Sequence, residues 1–261
     1  MADKPIVVKI GGSTLGSHDT TLEDLFTLQR KGDFPVVVHG GGKVISQWME
    51  RQGVKPRFVR GLRVTDAQSL EVVTAVLTGL INKQLVAALL GHGARVLGLS
   101  GVDGAALQAR LTDPELGYVG EVTRVDPEPV WRALEAGYIP LIAPVGLHCF
   151  DGSGRDGSFL NINGDTAAGE IARALGARRL VFLTDVPGVL DDAGRVLERL
   201  TGRQVRLLLE SGVASGGMIP KLEAALRALE TVPECDIVDG RTPHALLASV
   251  LGQPQGTRIR R

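Results

Sequence analysis

Lys9 stands inside an otherwise apolar run, Ile6-Val7-Val8-Lys9-Ile10. An unpaired ammonium is costly to bury in such a strand, so this one either meets an anion or snorkels out from a sheet edge. A second lysine, Lys221, falls in the first turn of a predicted helix, where a cation opposes the helix dipole and a bound anion would relieve the conflict. Three glycine-rich turns stand at the joins between elements: Gly11-Gly12-Ser13, Gly40-Gly41-Gly42 and Gly216-Gly217. Ligands of open α/β sheets bind beyond the carboxyl ends of the strands, and glycine lets backbone N–H groups come close to anionic oxygens. The matching ligand chemistry is a phosphate or a carboxylate. None of these turns is a P-loop, because Lys43 is followed by Val44 and no glycine sits five residues before Gly42.

Asn161 and Asn163 lie two apart in a predicted strand, share a face, and open onto Gly164-Asp165 before a helix. Asp165 reads as an N-cap, a role that does not prevent it from also orienting a lysine. Arg63, in the loop Gly61-Leu62-Arg63-Val64-Thr65, could grip a carboxylate bidentately. Two lysines and converging amides supply what phosphoryl transfer chiefly needs, in-line positioning and charge neutralisation. A carboxylate acceptor needs no general base, and His18, His39, His92, His148 and His244 form no Ser-His-Asp or Cys-His arrangement. His39 reads as a strand-end spacer. Gly152, Gly154 and Gly157 match G-x-G-x-x-G, but they lie between two predicted strands and open no helix, which a dinucleotide fingerprint requires.

Alternating elements must carry these residues. Strands are expected at Ile6 to Ile10, Val36 to His39, Arg95 to Leu99, Ile139 to Ile142, Leu180 to Thr184 and near Ile237. Helical patterns run over Leu22 to Lys31, Val44 to Gln52, Pro127 to Ala136, Thr166 to Leu175, Gln204 to Glu210 and Ile219 to Glu230. The longest helix is expected from Asp66 to about Leu90, opened by a Thr65/Gln68 capping box and stopped by Gly91 and Gly93, with Leu70, Val73, Leu77 and Leu80 as its core or interface stripe. A hairpin joins His148 to Phe150 with Ser158 to Ile162, and Gly256 to Arg261 reads as an edge strand whose three arginines are solvated. The fold class is α/β, a three-layer α/β/α sandwich with a central, mainly parallel sheet in two lobes, 1–173 and 174–261.

Composition narrows the function. Hydrophobic residues are 44% and aromatics 4%, so the core is built from Val, Leu, Ile and Ala, as buried parallel strands usually are. Lys plus Arg balances Asp plus Glu at 29 each, which removes the basic footprint of a nucleic-acid partner. Cys149 and Cys235 are far apart with no C-x-x-C spacing, so neither a disulfide framework nor a zinc site is signalled and a reducing cytoplasm is expected. Apolar runs such as Leu85 to Leu90 fall short of the roughly 20 residues of a membrane span, and no membrane partner is expected.

In order along the chain, KIGGS (Lys9 to Ser13), VHGGGK (Val38 to Lys43), GLRVTD (Gly61 to Asp66), NINGDTAAG (Asn161 to Gly169), LTDVPGVLD (Leu183 to Asp191) and GGMIPK (Gly216 to Lys221) resemble the N-acetylglutamate kinases of the amino acid kinase family. The resemblance covers nearly the whole chain. It implies an N-terminal lobe for an acyl-amino acid, a C-terminal lobe for ATP, and a homodimer joined through the long helix. By matching motif position it makes Lys9 and Lys221 stabilisers of the transferring phosphoryl group and Asp165 the residue that holds both. It gives Gly41, Gly42, Arg63, Asn161 and Asn163 to the substrate. Gly11, Gly12, Thr184, Asp185, Gly188, Leu190, Gly216, Gly217 and Met218 go to ATP. Mg²⁺ would be carried by the ATP phosphates, with no protein ligand.

Two positions depart from the family pattern: Gly164 stands where Ala is common, and Arg60 where Asn is usual. Lys9 lies so near the first residue that the leading helix of arginine-inhibited members, and feedback by arginine, are not expected. Sister kinases acting on carrier-protein-bound aminoadipate or glutamate share KIGGS, HGGG and GLRVT, but GGMIPK and Gly117 to Val122 look more like the acetylglutamate branch. A non-catalytic amino acid sensor on the same fold would have lost one of the two lysines, and both are present.

Overall fold

The computed structural model describes residues 4–11, 20–150 and 154–261. Its centre is an eight-stranded sheet in the spatial order Arg199–Thr201, Gly256–Arg260, Glu234–Asp239, Arg179–Thr184, Ile6–Ile10, Pro35–His39, Ile139–Ala143, Val96–Ser100. The last six of these are parallel, while Gly256–Arg260 runs antiparallel to Glu234–Asp239 and pairs in parallel with Arg199–Thr201 at the edge. The mainly parallel sheet expected from the alternating pattern is therefore present.

Side chains alternate across this sheet and feed two separate cores. Ile6, Val8 and Ile10 enter the core shared with Leu25, Leu28 and the long helix. Val7 enters the other, with Ala167, Ala168 and Ile171 of the Gly164–Leu175 helix and Ala224, Ala225 and Ala228 of the Met218–Ala228 helix. Helices thus cover both faces, which gives the three layers. Lys9, two residues from Val7, shares Val7's face. Its strand pairs on both sides, Lys9 opposite Phe182 and Val38, so it is central and the edge-strand alternative for this lysine falls away.

Beside the sheet, Leu107–Leu111, Val119–Val125, Val145–Phe150 and Gly154–Ile162 close into a four-stranded barrel. The last two form the antiparallel hairpin expected around the glycine-rich turn. The first two carry Arg110, Glu121, Thr123 and Arg124 among their apolar residues, which broke the pattern that would have marked them as strands.

Three expectations need correction. The long helix, Ala67–Gly91, is capped by Asp66, whose carboxylate accepts from the Ser69 amide at 2.8 Å. Thr65 is not the cap: its buried hydroxyl donates to the Arg63 carbonyl at 2.9 Å and accepts from Asn161 Nδ2 at 3.0 Å. Of the expected stripe Val73 and Leu77 are buried while Leu70 and Leu80 are half-buried; the middle of the helix, Ala75–Ile81, is π-helical, and from its last residue onward the buried apolar positions are Ile81, Leu85 and Leu89 rather than a continuation through Leu80. At 25 residues with a window of mean hydropathy 1.6, the helix matches a membrane span in length and apolarity, yet that stripe packs on the sheet. Finally, Gly256–Arg260 is interior to the sheet, and Arg258 is buried against Asp236, with Nε to Oδ1 at 2.8 Å, rather than solvated. Residue 173 lies in the last turn of the Gly164–Leu175 helix.

Candidate active site

The two lysines converge on one carboxylate. Lys9 Nζ lies 2.9 Å from Asp165 Oδ1, and Lys221 Nζ lies 3.2 Å from Oδ2. Local rules deliver all three. The strand alternation points Lys9 toward the Gly164–Leu175 helix. Asn163, not Asp165, caps that helix, its side-chain oxygen accepting from the Asp165 and Thr166 amides at 2.9 and 3.1 Å. That leaves the Asp165 carboxylate free for the lysines, and the N-cap reading of Asp165 is replaced. Asn163 consequently lies one residue beyond the strand end at Ile162. Lys221 also donates to the Gly217 carbonyl at 3.1 Å, which satisfies an ammonium otherwise misplaced at a helix start.

Burial pushes the Asp165 carboxyl up, but the nearby Lys9 and Lys221 ammoniums outweigh it and hold the group below the ordinary carboxylate range. The cluster carries two positive charges and one negative.

Two clefts flank it. One, of about 160 Å³, is lined by Gly41, Gly42, Arg63, Asn161, Asn163 and Gly164. Arg63 reaches it from the second strand of the small hairpin Phe58–Val59 and Leu62–Arg63. Its Nη2 donates to the Gly42 carbonyl at 2.8 Å and to Ser46 Oγ at 2.9 Å, and the Phe58 ring lies 4.7 Å from the guanidinium. Asn161 donates to Thr65 Oγ1 at 3.0 Å, which ties the barrel to this hairpin's exit. The hairpin turns at Arg60 and Gly61, with φ of 49° and 79°. Two successive positive φ values are the pattern of a tight two-residue turn in which Asn or Gly is favoured at the first position, so Arg60 is the strained residue there.

The second cleft, of about 330 Å³, is lined by Thr184, Asp185, Gly188, Leu190, Gly217, Met218 and Lys221. Val186, Val189, Leu208, Val213, Ala214 and Ser215 complete the walls. Val186 and Val189 fall within the LTDVPGVLD motif without a site role assigned to them, whereas Leu208, Val213, Ala214 and Ser215 lie outside every motif. Gly216 adjoins Gly217 in the chain with φ +53°. The Gly11 amide donates to the Leu183 carbonyl at 3.1 Å and lines neither cleft. Gly12 lies outside the described residues.

Among the described residues no three His, Cys, Asp or Glu side chains converge, and both Asp165 oxygens face ammoniums. This donor set fits a cation brought in on phosphate oxygens rather than one held in a protein cage.

Residues 4–239 match the model of the amino acid kinase family. The chain is 45% identical to a protein of Dehalococcoides mccartyi strain CBDB1 named acetylglutamate kinase, across 97% of this chain and 93% of that one. It is 44% identical to another of that name from Methanothrix thermoacetophila, across 95% and 89%. Among solved structures, that of smu.665 from Streptococcus mutans UA159 superposes with a TM-score of 0.83 at 32% identity, covering 98% of both chains.

Proposed function

The chain belongs to the amino acid kinase family, and from that premise we propose that its two clefts meet so that ATP phosphorylates the side-chain carboxylate of N-acetyl-L-glutamate, a step of arginine biosynthesis. The observation that carries this reading is Asp165 holding Lys9 and Lys221 between a glycine- and arginine-lined cleft and a larger, mostly apolar one. In this reading residues 1–173 bind the acyl-amino acid and 174–261 bind ATP.

A carboxylate oxygen of the substrate attacks the γ-phosphorus, the bond to the β-bridging oxygen breaks, and ADP leaves with that electron pair. The attacking oxygen carries no proton at neutral pH, so no side chain has to remove one. Lys9 and Lys221 neutralise charge on the transferring oxygens and Asp165 keeps both at their stations. The first amides of the Gly42–Arg51 helix have no intrahelical acceptor and face an anion by the same logic. Arg63, Asn161 and Asn163 orient the acyl-amino acid. Thr184, Asp185, Gly188, Leu190, Gly216, Gly217 and Met218 receive the nucleotide. Mg²⁺ would be held by the ATP phosphate oxygens and would lower their charge.

We further assign a cytoplasmic location and a homodimer joined along the Ala67–Gly91 helix; the dimer is supported by exposed Leu90 on that helix and exposed Leu97 on the edge strand Val96–Ser100, at 54% and 41%. Purified protein incubated with ATP, Mg²⁺ and free N-acetyl-L-glutamate, then quenched with hydroxylamine, tests the reaction. A hydroxamate is expected. Its absence, with product formed only from carrier-protein-bound aminoadipate or glutamate, would overturn the choice of substrate.

A further inference from the structure

The long helix meets the Gly40-Gly41-Gly42 loop directly at Gly41, and meets His39, the residue before that loop, through Asn82. A Cβ on Gly41 would lie 2.5 Å from Ile81 Cδ1 and 2.9 Å from Leu77 Cδ2, so Ala75–Ile81 closes directly onto the bare α-carbon. Asn82, the next residue, is 1% exposed, and its Nδ2 faces the Leu141 carbonyl at 2.9 Å, the Leu99 carbonyl at 3.2 Å and His39 Nε2 at 3.3 Å. Its Oδ1 accepts from Lys83 Nζ at 3.0 Å, which fixes which end of the amide is the donor. An α-helical turn in place of the π turn would rotate Asn82 away from His39 by about 100°.

His39 is itself 1% exposed, and its Nδ1 lies 3.0 Å from the Gly40 carbonyl oxygen. A carbonyl can only accept, so Nδ1 carries the proton and Nε2 presents its lone pair to the Asn82 amide, whose two hydrogens are shared among this nitrogen and the Leu99 and Leu141 carbonyls. Burial, with a smaller contribution from Lys83, pulls the ring down to about 4, while the bond to Gly40 resists. The imidazole is therefore neutral near pH 7, with one tautomer. This is more than the spacer expected from the strand pattern. The Gly40 carbonyl and the Gly41 N–H share one planar trans peptide, so fixing the first fixes the direction of the second.

We propose that Asn82 and His39 are positioning residues, a relay from the long helix through the Gly40 carbonyl that sets the Gly41 amide at the mouth of the acceptor cleft. This rests on reading that cleft as the carboxylate site. His39→Leu fills the same space without a donor, whereas His39→Asn returns an amide N–H near the place of Nδ1. His39→Leu should lower kcat by about 10- to 100-fold, the range expected when a catalytic donor is displaced rather than removed, with KM for ATP within about two-fold of wild type. His39→Asn should recover most of that loss.

If His39→Leu does not fold, Asn82→Asp serves instead: a carboxylate beside Nε2 favours the protonated ring and should add an acid-to-neutral limb to the pH profile of kcat/KM that wild type lacks. Equal activity of His39→Leu and His39→Asn, or an Asn82→Asp profile superposing on wild type, would overturn the relay. A wild-type protein that forms no hydroxamate from N-acetylglutamate would instead overturn the substrate reading. In that event the Gly41 amide ¹⁵N resonance still tests the relay, which requires it to move in His39→Leu and return in His39→Asn, and identical shifts in the two variants would refute it.

Discussion

Replacing Asp165 with Asn removes one charge and leaves two ammoniums buried side by side. At separations of 2.9 and 3.2 Å each lysine–carboxylate attraction is worth about 5 kcal/mol with an effective dielectric of ~20, and desolvation of the three groups offsets much of it. The net loss expected on removing one member of such a buried cluster is about 3–5 kcal/mol. Urea unfolding at pH 7 measures it directly. The sign with pH is fixed by the depressed Asp165 carboxyl. Its contribution is complete above the unfolded-state value of about 4 and is lost as pH falls through the lower folded-state value, so the gap between wild type and Asp165→Asn should be full at pH 7 and shrink below about pH 4. In catalysis the lysines lose their stations, and kcat should fall by about 10²–10³. Saturating ATP should restore part of the lost stability, because phosphate oxygens then face the uncompensated ammoniums. Wild-type stability together with wild-type kcat in Asp165→Asn would refute the idea that this carboxylate organises the site.

Lys9→Ala removes one ammonium but leaves Asp165 paired with Lys221, so circular dichroism should match wild type while kcat drops by at least about 10². Arg60→Asn replaces a residue held at φ 49° by one that tolerates it and should raise stability by up to about 1 kcal/mol in denaturant titration. A Cβ on Gly164 would meet nothing closer than Lys9 Cε at 3.5 Å, so Gly164→Ala should fold and keep kcat within about two-fold. His244 Nδ1 lies 2.7 Å from Asp24 Oδ1, and this hydrogen bond holds the imidazole above its ordinary value. The resulting stabilisation is complete below about pH 6.5 and lost as pH rises through the higher folded value. The melting temperature should therefore fall between pH 6.5 and 9 in wild type but not in His244→Gln, and parallel curves would remove the pair from consideration.

The sheet was legible because parallel strands buried on both faces read as short β-branched runs, and Ile6 to Ile10 has the same ends in sequence and in structure. The small barrel was not, since its closure depends on pairings remote in the chain, such as Asn161 with Val119, and its strands interleave charges with apolar residues. Helix starts were legible only as regions. Thr65 and Gln68 fit a capping box, but Thr65 is drawn into a buried contact with Asn161 and Asp66 takes the cap. The carboxyl-end glycines located the clefts, whereas Leu208, Val213 and Ala214 of the larger one carry no motif, because any residue of suitable size can line a flat, nonpolar surface. Arg258 misled for the opposite reason. Its charge looks solvated until Asp236, from the adjacent strand, is seen to neutralise it.

The central cluster owes its geometry to two local rules that know nothing of each other. Strand alternation sends Val7 and Lys9 to one face and Ile6, Val8 and Ile10 to the other, so a slip of one residue would bury an ammonium among Leu25, Leu28 and Val181 with no anion to meet it. Helix capping decides the second coordinate. With Asn163 bonded to the first amides, Asp165 falls inside the first turn of the helix, where the dipole favours its charge and its side chain is not spent on the backbone. Were Asp165 the cap instead, its oxygens would satisfy its own helix and the lysines would have to find separate partners. The asparagine and aspartate therefore divide structural and chemical duty: the asparagine closes the helix, and the aspartate arrives between two lysines brought from opposite ends of the chain.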